Sequence, residues 1–227
     1  MQMLKFMVRG GMKTLLFVDD HPMMRKGSIA LAQTLPGKLK YLEAGSRKEA
    51  LSLLEVHVVD TAVVDLVLGQ DDGLDFIKEI SCQYQDLKVL VLSMQPEALY
   101  AERVLRAGAL GMVSKSDDPD TVLEALRTVM RGEFYLSHAS NAMVLKKLLG
   151  RKMPKGESPV SRLSDRELHV FQMLGSGYST AEVAENLGLS VKTVETHREK
   201  IKRKMNLQDW RELIHTAKAW VSEGALS

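Results

Sequence analysis

Between residues 13 and 131, short runs rich in β-branched residues alternate with stretches whose apolar positions recur every three or four residues. The runs Leu15–Val18, Leu39–Glu43, Thr61–Asp65, Lys88–Leu92 and Gly111–Val113 predict strands. The stretches near 23–34, 46–56, 73–83, 97–107 and 119–131 predict amphipathic helices. Pro22 and Pro119 stand where a first helical turn accepts proline. Five strand–helix units predict an α/β fold, a doubly wound five-stranded parallel sheet covered on both faces. Such a sheet gathers its ligand chemistry at the C-terminal ends of the strands.

The rhythm changes after residue 135. A helical pattern near 138–149 leads into Arg151–Pro159, which is polar, basic and punctuated by proline, as a linker is. From Ser164 the pattern is all helical. Ser164 with Glu167, and Ser179 with Glu182, have the spacing of capping boxes. Gly188 ends one helix, Ser190 caps the next, and Asp209 opens a last one. The expected organisation is an extension over 1–11, an α/β domain over 12–135, a linker over 136–161 and an all-α domain over 162–227.

Composition narrows the setting. The chain has 227 residues, enough for two cores. A lone Cys82 excludes an internal disulfide framework or a cysteine-rich zinc site and suits a reducing cytoplasm. No apolar run approaches membrane-spanning length, and Met1–Met12 lacks the apolar stretch of a signal peptide, so a start at Met12 is also compatible. The net charge of +2 conceals a split. Residues 12–136 carry 14 Lys+Arg against 19 Asp+Glu, residues 137–159 carry 5 against 1, and residues 160–227 carry 10 against 9. An acidic front followed by a basic stretch points to two kinds of partner.

The acids of the front half fall into a pattern. Asp19 and Asp20 follow the first strand, Asp65 ends the third, Ser93 ends the fourth region and Lys115 follows the fifth. All lie at one edge of the predicted sheet. Clustered carboxylates need a cation, and Mg²⁺ suits an all-oxygen donor set. A carboxylate beside a metal and a lysine is placed to attack phosphorus while the cations neutralise the equatorial oxygens. Asp71 and Asp72 read as turn and helix-capping residues, Asp60 as a solvated strand start, and His21 as a helix-start residue.

Val18-Asp19-Asp20-His21-Pro22, Asp65 through Gly73, Leu92-Ser93 and Lys115 together resemble the motifs of a response-regulator receiver domain, of flavodoxin-like fold. The resemblance implies that Asp19, Asp20 and Asp65, with the Val67 carbonyl, hold Mg²⁺. It also implies that Asp65 accepts a phosphoryl group from a sensor histidine kinase, sensed by Ser93 and Lys115. Two positions depart from the family pattern. Gly69 replaces the usual proline four residues after the acceptor, loosening that loop, and Met112 replaces the usual aromatic switch residue.

The rear half carries a helix-turn-helix pattern: Ala181, Val183, Ala184 and Leu187, then a turn at Gly188, then a helix from Ser190. On that helix Val191, Val194, Ile201 and Met205 share one face. Lys192, Thr196, Glu199 and Arg203 gather opposite, flanked by Glu195 and Lys200. Such side chains suit base edges and phosphates in a major groove. The segment resembles the LuxR-type helix-turn-helix, and the whole chain the NarL/FixJ class of response regulators. By that resemblance Lys192, Glu195, Thr196 and Glu199 face bases, while Ser190, Thr193 and Arg203 contact phosphate. Lys200 joins the interface, and His197 sits between the core and exposed faces. Trp210 and Trp220 read as packing or dimer-contact residues.

The implied function is a two-component regulator, not an enzyme, in which phosphorylation of Asp65 controls DNA binding and transcription. By the resemblance, phosphorylation either frees the recognition helix from the receiver or promotes a homodimer, and contact with RNA polymerase is compatible with that role. Two other readings are a DNA-binding regulator that ignores phosphate, and an aspartyl phosphotransferase or phosphatase. The latter lacks a second acid two residues after Asp65, where Val67 stands.

Overall fold

The computed structural model describes residues 12–69, 71–148 and 159–224. The expected extension over 1–11 and the segment 149–158 of the expected linker lie outside the described residues. The chain divides into two compact units. One holds the residues up to Glu97 with Val104–His138, the other Ala98–Arg103 with the residues from Ala139 onward.

The first unit contains β1 (Lys13–Val18), α1 (Pro22–Ala32), β2 (Leu39–Ala44), α2 (Arg47–Val56) and β3 (Thr61–Val64). Then come β4 (Val67–Leu68), β5 (Asp71–Asp72), α3 (Gly73–Gln83), β6 (Lys88–Ser93), α4 (Glu97–Arg106, of which Ala98–Arg103 belong to the second unit), β7 (Gly111–Ser114) and α5 (Pro119–Arg131). Five strands form the predicted parallel sheet in the order β2-β1-β3-β6-β7. Side chains alternate across a strand, and both faces are buried. Leu15, Phe17, Val63, Leu90 and Leu92 pack on one face against Ala32, Leu123, Leu126 and Val129 of α1 and α5. Leu16, Val18, Ala62, Val64, Val89, Val91 and Met112 alternate with them and are also fully buried. Thus the central strands β1, β3 and β6 are apolar over most of their length, as a doubly covered sheet requires, while the edge strand β2 carries Lys40 and Glu43 and is only partly buried.

Three local features depart from the sequence reading. β4 and β5 form a small antiparallel hairpin pairing Val67 with Asp72 and Leu68 with Asp71. Asp60 is half-buried, and its Oδ2 accepts the Thr14 amide at 2.8 Å, so it tethers the start of β1 instead of facing water. The edge strand β7 is bridged by the chain after α5: Tyr135 donates to the Leu110 carbonyl at 2.9 Å and accepts from the Met112 amide at 3.2 Å.

The second unit contains α6 (His138–Leu148), which falls within the expected linker, and a short 3₁₀ turn at Pro159–Arg162. It continues with α7 (Asp165–Gly175), α8 (Thr180–Asn186), α9 (Val191–Met205) and α10 (Trp210–Gly224). Both predicted capping boxes form, at Ser164 with Glu167 and at Ser179 with Glu182. Leu168, Phe171, Val183, Val194, Ile201 and Leu213 are fully buried and close the helical core. Trp220 packs on Phe171 with ring centroids 5.9 Å apart, whereas Trp210 is exposed.

Candidate functional site

The parallel sheet brings the expected acids together at one rim. Asp19 and Asp20 follow β1, Asp65 follows β3, Ser93 ends β6 and Lys115 follows β7. Asp19, Asp65 and Ser93 are buried. Ser93 Oγ donates to Asp65 Oδ1 at 2.6 Å, and Lys115 Nζ donates to Asp65 Oδ2 at 2.5 Å. Lys115 Nζ also lies 2.7 Å from Asp19 Oδ2, so one ammonium bridges two buried carboxylates. Burial disfavours the Lys115 charge, but hydrogen bonds and attraction from Asp19 and Asp65 outweigh it, and the pKa rises above its ordinary value. The lysine is held as a cation.

The backbone near the acceptor is tightly placed. The Val67 amide donates to Asp65 Oδ1 at 3.3 Å. A Cβ on Gly73, at the start of α3, would lie 2.6 Å from the Asp65 carbonyl oxygen and 2.5 Å from Leu66 Cα. Only glycine permits that approach. Asp72 caps α3 by accepting the Leu74 amide at 2.9 Å, as its sequence position predicts, and Asp71 faces Arg47 at 3.9 Å.

The carboxylates can receive a cation. Donor atoms of Asp19, Asp20, His21 and Asp65 lie within 4.8 Å of one another. Asp20 Oδ1 is buried and accepts no well-directed hydrogen bond, although His21 Nδ1 approaches it to 2.6 Å. An orphaned carboxylate oxygen is costly unless something positive meets it. His21 occupies the N-cap position of α1, but its side chain makes no capping bond; its amide instead donates to Asp19 Oδ1 at 2.8 Å.

Sequence reasoning missed two supports of the acidic loop. Arg25 of α1 donates to the Asp19 carbonyl oxygen at 2.5 Å and to Glu43 of β2 at 3.2 Å. The Gly69 amide donates to Asp20 Oδ2 at 2.9 Å. Arg25 carried a signal, a cation one helical turn beyond the acids. A backbone amide carries none. Met112 is fully buried in β7, consistent with a packing role.

In the second unit, α8, the turn at Gly188 (φ +60°) and α9 build the expected helix-turn-helix. Arg166 of α7 donates to the Leu187 carbonyl at the end of α8 at 2.7 Å, and Arg198 of α9 donates to Thr180 Oγ1 of α8 at 2.8 Å, so α8 is tied to both neighbours. Val194, Ile201 and Met205 are buried as predicted. Val191 is not: it is 46% exposed, because it lies at the edge of that apolar arc and in the first turn. Lys192, Glu195, Thr196, Glu199, Lys200 and Arg203 are exposed together. Ser190 Oγ accepts the Thr193 amide at 3.1 Å and lies 2.8 Å from Thr193 Oγ1, so both hydroxyls serve the cap. His197 is half-buried. Desolvation first, then the charge of Lys200, lowers its pKa, with Glu167 opposing and Arg166 adding to the fall.

Residues 15–127 match the response regulator receiver domain family, and residues 161–217 match the luxR family of bacterial regulatory proteins. The response regulator UvrY of Escherichia coli (strain K12) is 31% identical over 91% of this chain and 94% of its own length. The chain belongs to the NarL/FixJ class of response regulators. The Fimbriae Z protein of Salmonella typhimurium (strain LT2) is 32% identical, over 91% of this chain and 96% of its own. RcsB from Salmonella enterica serovar Typhimurium, bound to promoter P1flhDC in the presence of phosphomimetic BeF3-, shares the fold. It superposes with a TM-score of 0.68 at 21% identity, covering 92% of this chain and all of that one. This regulator class therefore couples a receiver to a LuxR-type helix-turn-helix and governs transcription; it is not an enzyme family. No described helix is long and apolar enough to cross a membrane.

Proposed function

We propose that Asp65 is the phosphoacceptor, within a receiver spanning residues 12–135, and that its phosphorylation controls sequence-specific DNA binding by residues 162–227. The supporting observation is the grip on the acceptor: Ser93 holds one Asp65 oxygen and Lys115 the other. Those two groups stand beside any phosphoryl group joined to that carboxylate. In the transfer an Asp65 oxygen bonds to phosphorus while the donor's bond to phosphorus breaks, the donor being a phosphohistidine of a sensor kinase. Lys115 neutralises charge on the incoming oxygens, and Ser93 donates a hydrogen bond to one of them.

Asp19, Asp20 and Asp65, with the Val67 carbonyl, would hold Mg²⁺, a hard ion suited to oxygen donors. When bound it supplies further positive charge beside the phosphoryl oxygens. The buried Asp20 Oδ1, which accepts no well-directed hydrogen bond and is approached by His21 Nδ1, supports this assignment.

For the DNA-binding unit, Lys192, Glu195, Thr196 and Glu199 would face base edges, with Lys200 and Arg203 near phosphate. Ser190 and Thr193 would reach phosphate from the cap. A homodimer on paired half-sites fits this class, as does a cytoplasmic location with RNA polymerase as a further contact. RcsB, in the matched structures, is a dimer on DNA.

Incubation with Mg²⁺ and acetyl phosphate tests the assignment. Intact-mass spectrometry is expected to show one added phosphoryl group in wild type and none in Asp65→Asn. The phosphorylated protein is expected to bind promoter DNA more tightly, with Asp65→Asn keeping only basal binding. Equal uptake by both proteins would overturn the acceptor assignment.

A further inference from the structure

Strand pairing along β1 ends at Val18, yet the next residue is buried. The Asp19 amide still reaches the Ala44 carbonyl of β2 at 3.2 Å, but its own carbonyl lies past the ladder. A buried carbonyl needs a partner. Arg25, six residues on in α1, supplies it: Nη1 donates to the Asp19 carbonyl oxygen at 2.5 Å. We infer that Arg25 is a positioning residue for phosphoryl uptake, acting through Asp19 on the Lys115 ammonium that faces Asp65. The inference rests on the reading of Asp65 as the phosphoacceptor.

Asp19 is held by every polar group it has. Beyond the two backbone bonds, Oδ1 accepts the His21 amide at 2.8 Å and Oδ2 lies 2.7 Å from Lys115 Nζ. The same ammonium donates to Asp65 Oδ2, so the direction of the Asp19 carboxylate sets where the positive charge stands beside the acceptor. Arg25 is anchored in its turn. Only 14% of its side chain is exposed, and Nε donates to Glu43 Oε2 of β2 at 3.2 Å. A guanidinium is a rigid planar fork, so holding Nε on Glu43 also aims Nη1 at the carbonyl. A lysine ammonium on a flexible stem lacks that directionality. Arg25 also lines one small cavity with Ser28, Asp19 and Asp65, against the sheet residues Phe17, Val63 and Leu92. The series Glu43, Arg25, Asp19, Lys115, Asp65 thus runs from the edge strand to the acceptor through printed contacts at each step. Functional carboxylates depend on such outer contacts for their orientation.

The test follows phosphoryl uptake by the full chain from acetyl phosphate with Mg²⁺, read by intact mass. Arg25→Ala is expected to lower the saturated rate about tenfold, the lower end for loss of an outer contact. The acetyl phosphate concentration at half-rate is expected to stay within about twofold, since the donor's binding is untouched. Guanidinium ion added to Arg25→Ala is expected to restore most of the rate, which a merely packing role would not allow. In metal-free protein, the Lys115 ammonium resonance is expected to be sheltered from exchange in wild type and exposed in Arg25→Ala. A folded Arg25→Ala with the wild-type rate, with no recovery in guanidinium, or with an equally sheltered ammonium overturns the inference. Wild type that gains no phosphoryl group overturns the Asp65 reading instead. Should Arg25→Ala misfold, Glu43→Gln decides. It loosens the anchor from the exposed side and is expected to slow uptake about threefold, within the range of a partly exposed ion pair; an unchanged rate there overturns the inference.

Discussion

At the scale of single residues, the chemistry depends on which polar groups have partners. Lys115 illustrates the balance: burial pushes its pKa down, and hydrogen bonds and attraction from Asp19 and Asp65 push it up by more. His197 illustrates the opposite. Its burial and the neighbouring Lys200 favour the neutral ring, so its pKa lies below the usual 6.5. The unfolded chain therefore takes up the proton first as pH falls. The stability tied to the neutral ring is complete above the unfolded value and is lost as pH drops through the folded one. The thermal midpoint of the DNA-binding unit is expected to fall between about pH 7.5 and about pH 5.5, and less so in His197→Gln. Calorimetry across that range measures it, and parallel slopes in both proteins would remove His197 as the cause. The residues that surrounded the acids were legible where side chains announced them. Asp19, Asp20, Asp65, Ser93 and Lys115 carry their chemistry in their names, and the alternation of strand and helix puts them on one rim. The Gly69 amide and the Asp60 tether escaped notice because each depends on a distant backbone group.

At the scale of elements, the sequence periodicity located nearly every helix and strand, and it failed where elements are short. A two-residue strand such as β4 offers no period to read, and it pairs with β5 just before Gly73 donates its amide to the Leu66 carbonyl at 3.1 Å. The apolar arc of α9 was right for Val194, Ile201 and Met205 and wrong for Val191, since a first turn can lie past the edge of its scaffold. The opposite face is open, and its charges separate two kinds of DNA contact. Arg203→Ala is expected to lower the slope of log affinity against log salt by about 0.9, the signature of one lost phosphate contact. Lys192→Ala is expected to cost about 1–3 kcal/mol, mainly on the preferred sequence, if it reads a base edge. Fluorescence anisotropy on matched and scrambled duplexes at several salt concentrations measures both. Phosphoryl uptake by either variant is expected to match wild type. An unchanged affinity and slope would remove that residue from the interface.

At the scale of the whole molecule, charge is divided by task. The receiver segment is acidic, with 14 basic against 19 acidic residues over 12–136, and the rear segment is near balance, with 10 against 9 over 160–227. Bulk charge therefore attracts DNA only weakly, and Glu195 and Glu199 on the exposed face of α9 reduce indiscriminate binding further. The outer margin of the receiver sheet has a different safeguard. Tyr135 lies along β7, and a Cβ on Gly111 would come within 2.4 Å of its carbonyl oxygen. Gly111→Ala is expected to dislodge Tyr135, bare the strand margin and promote self-association, visible by light scattering; a monodisperse variant would show that Tyr135 is dispensable there. The same stitch has a mechanical meaning. A pull on the chain beyond Tyr135 would meet its bonds to Leu110 and Met112 before reaching α5, so load would enter the receiver three residues upstream of Lys115.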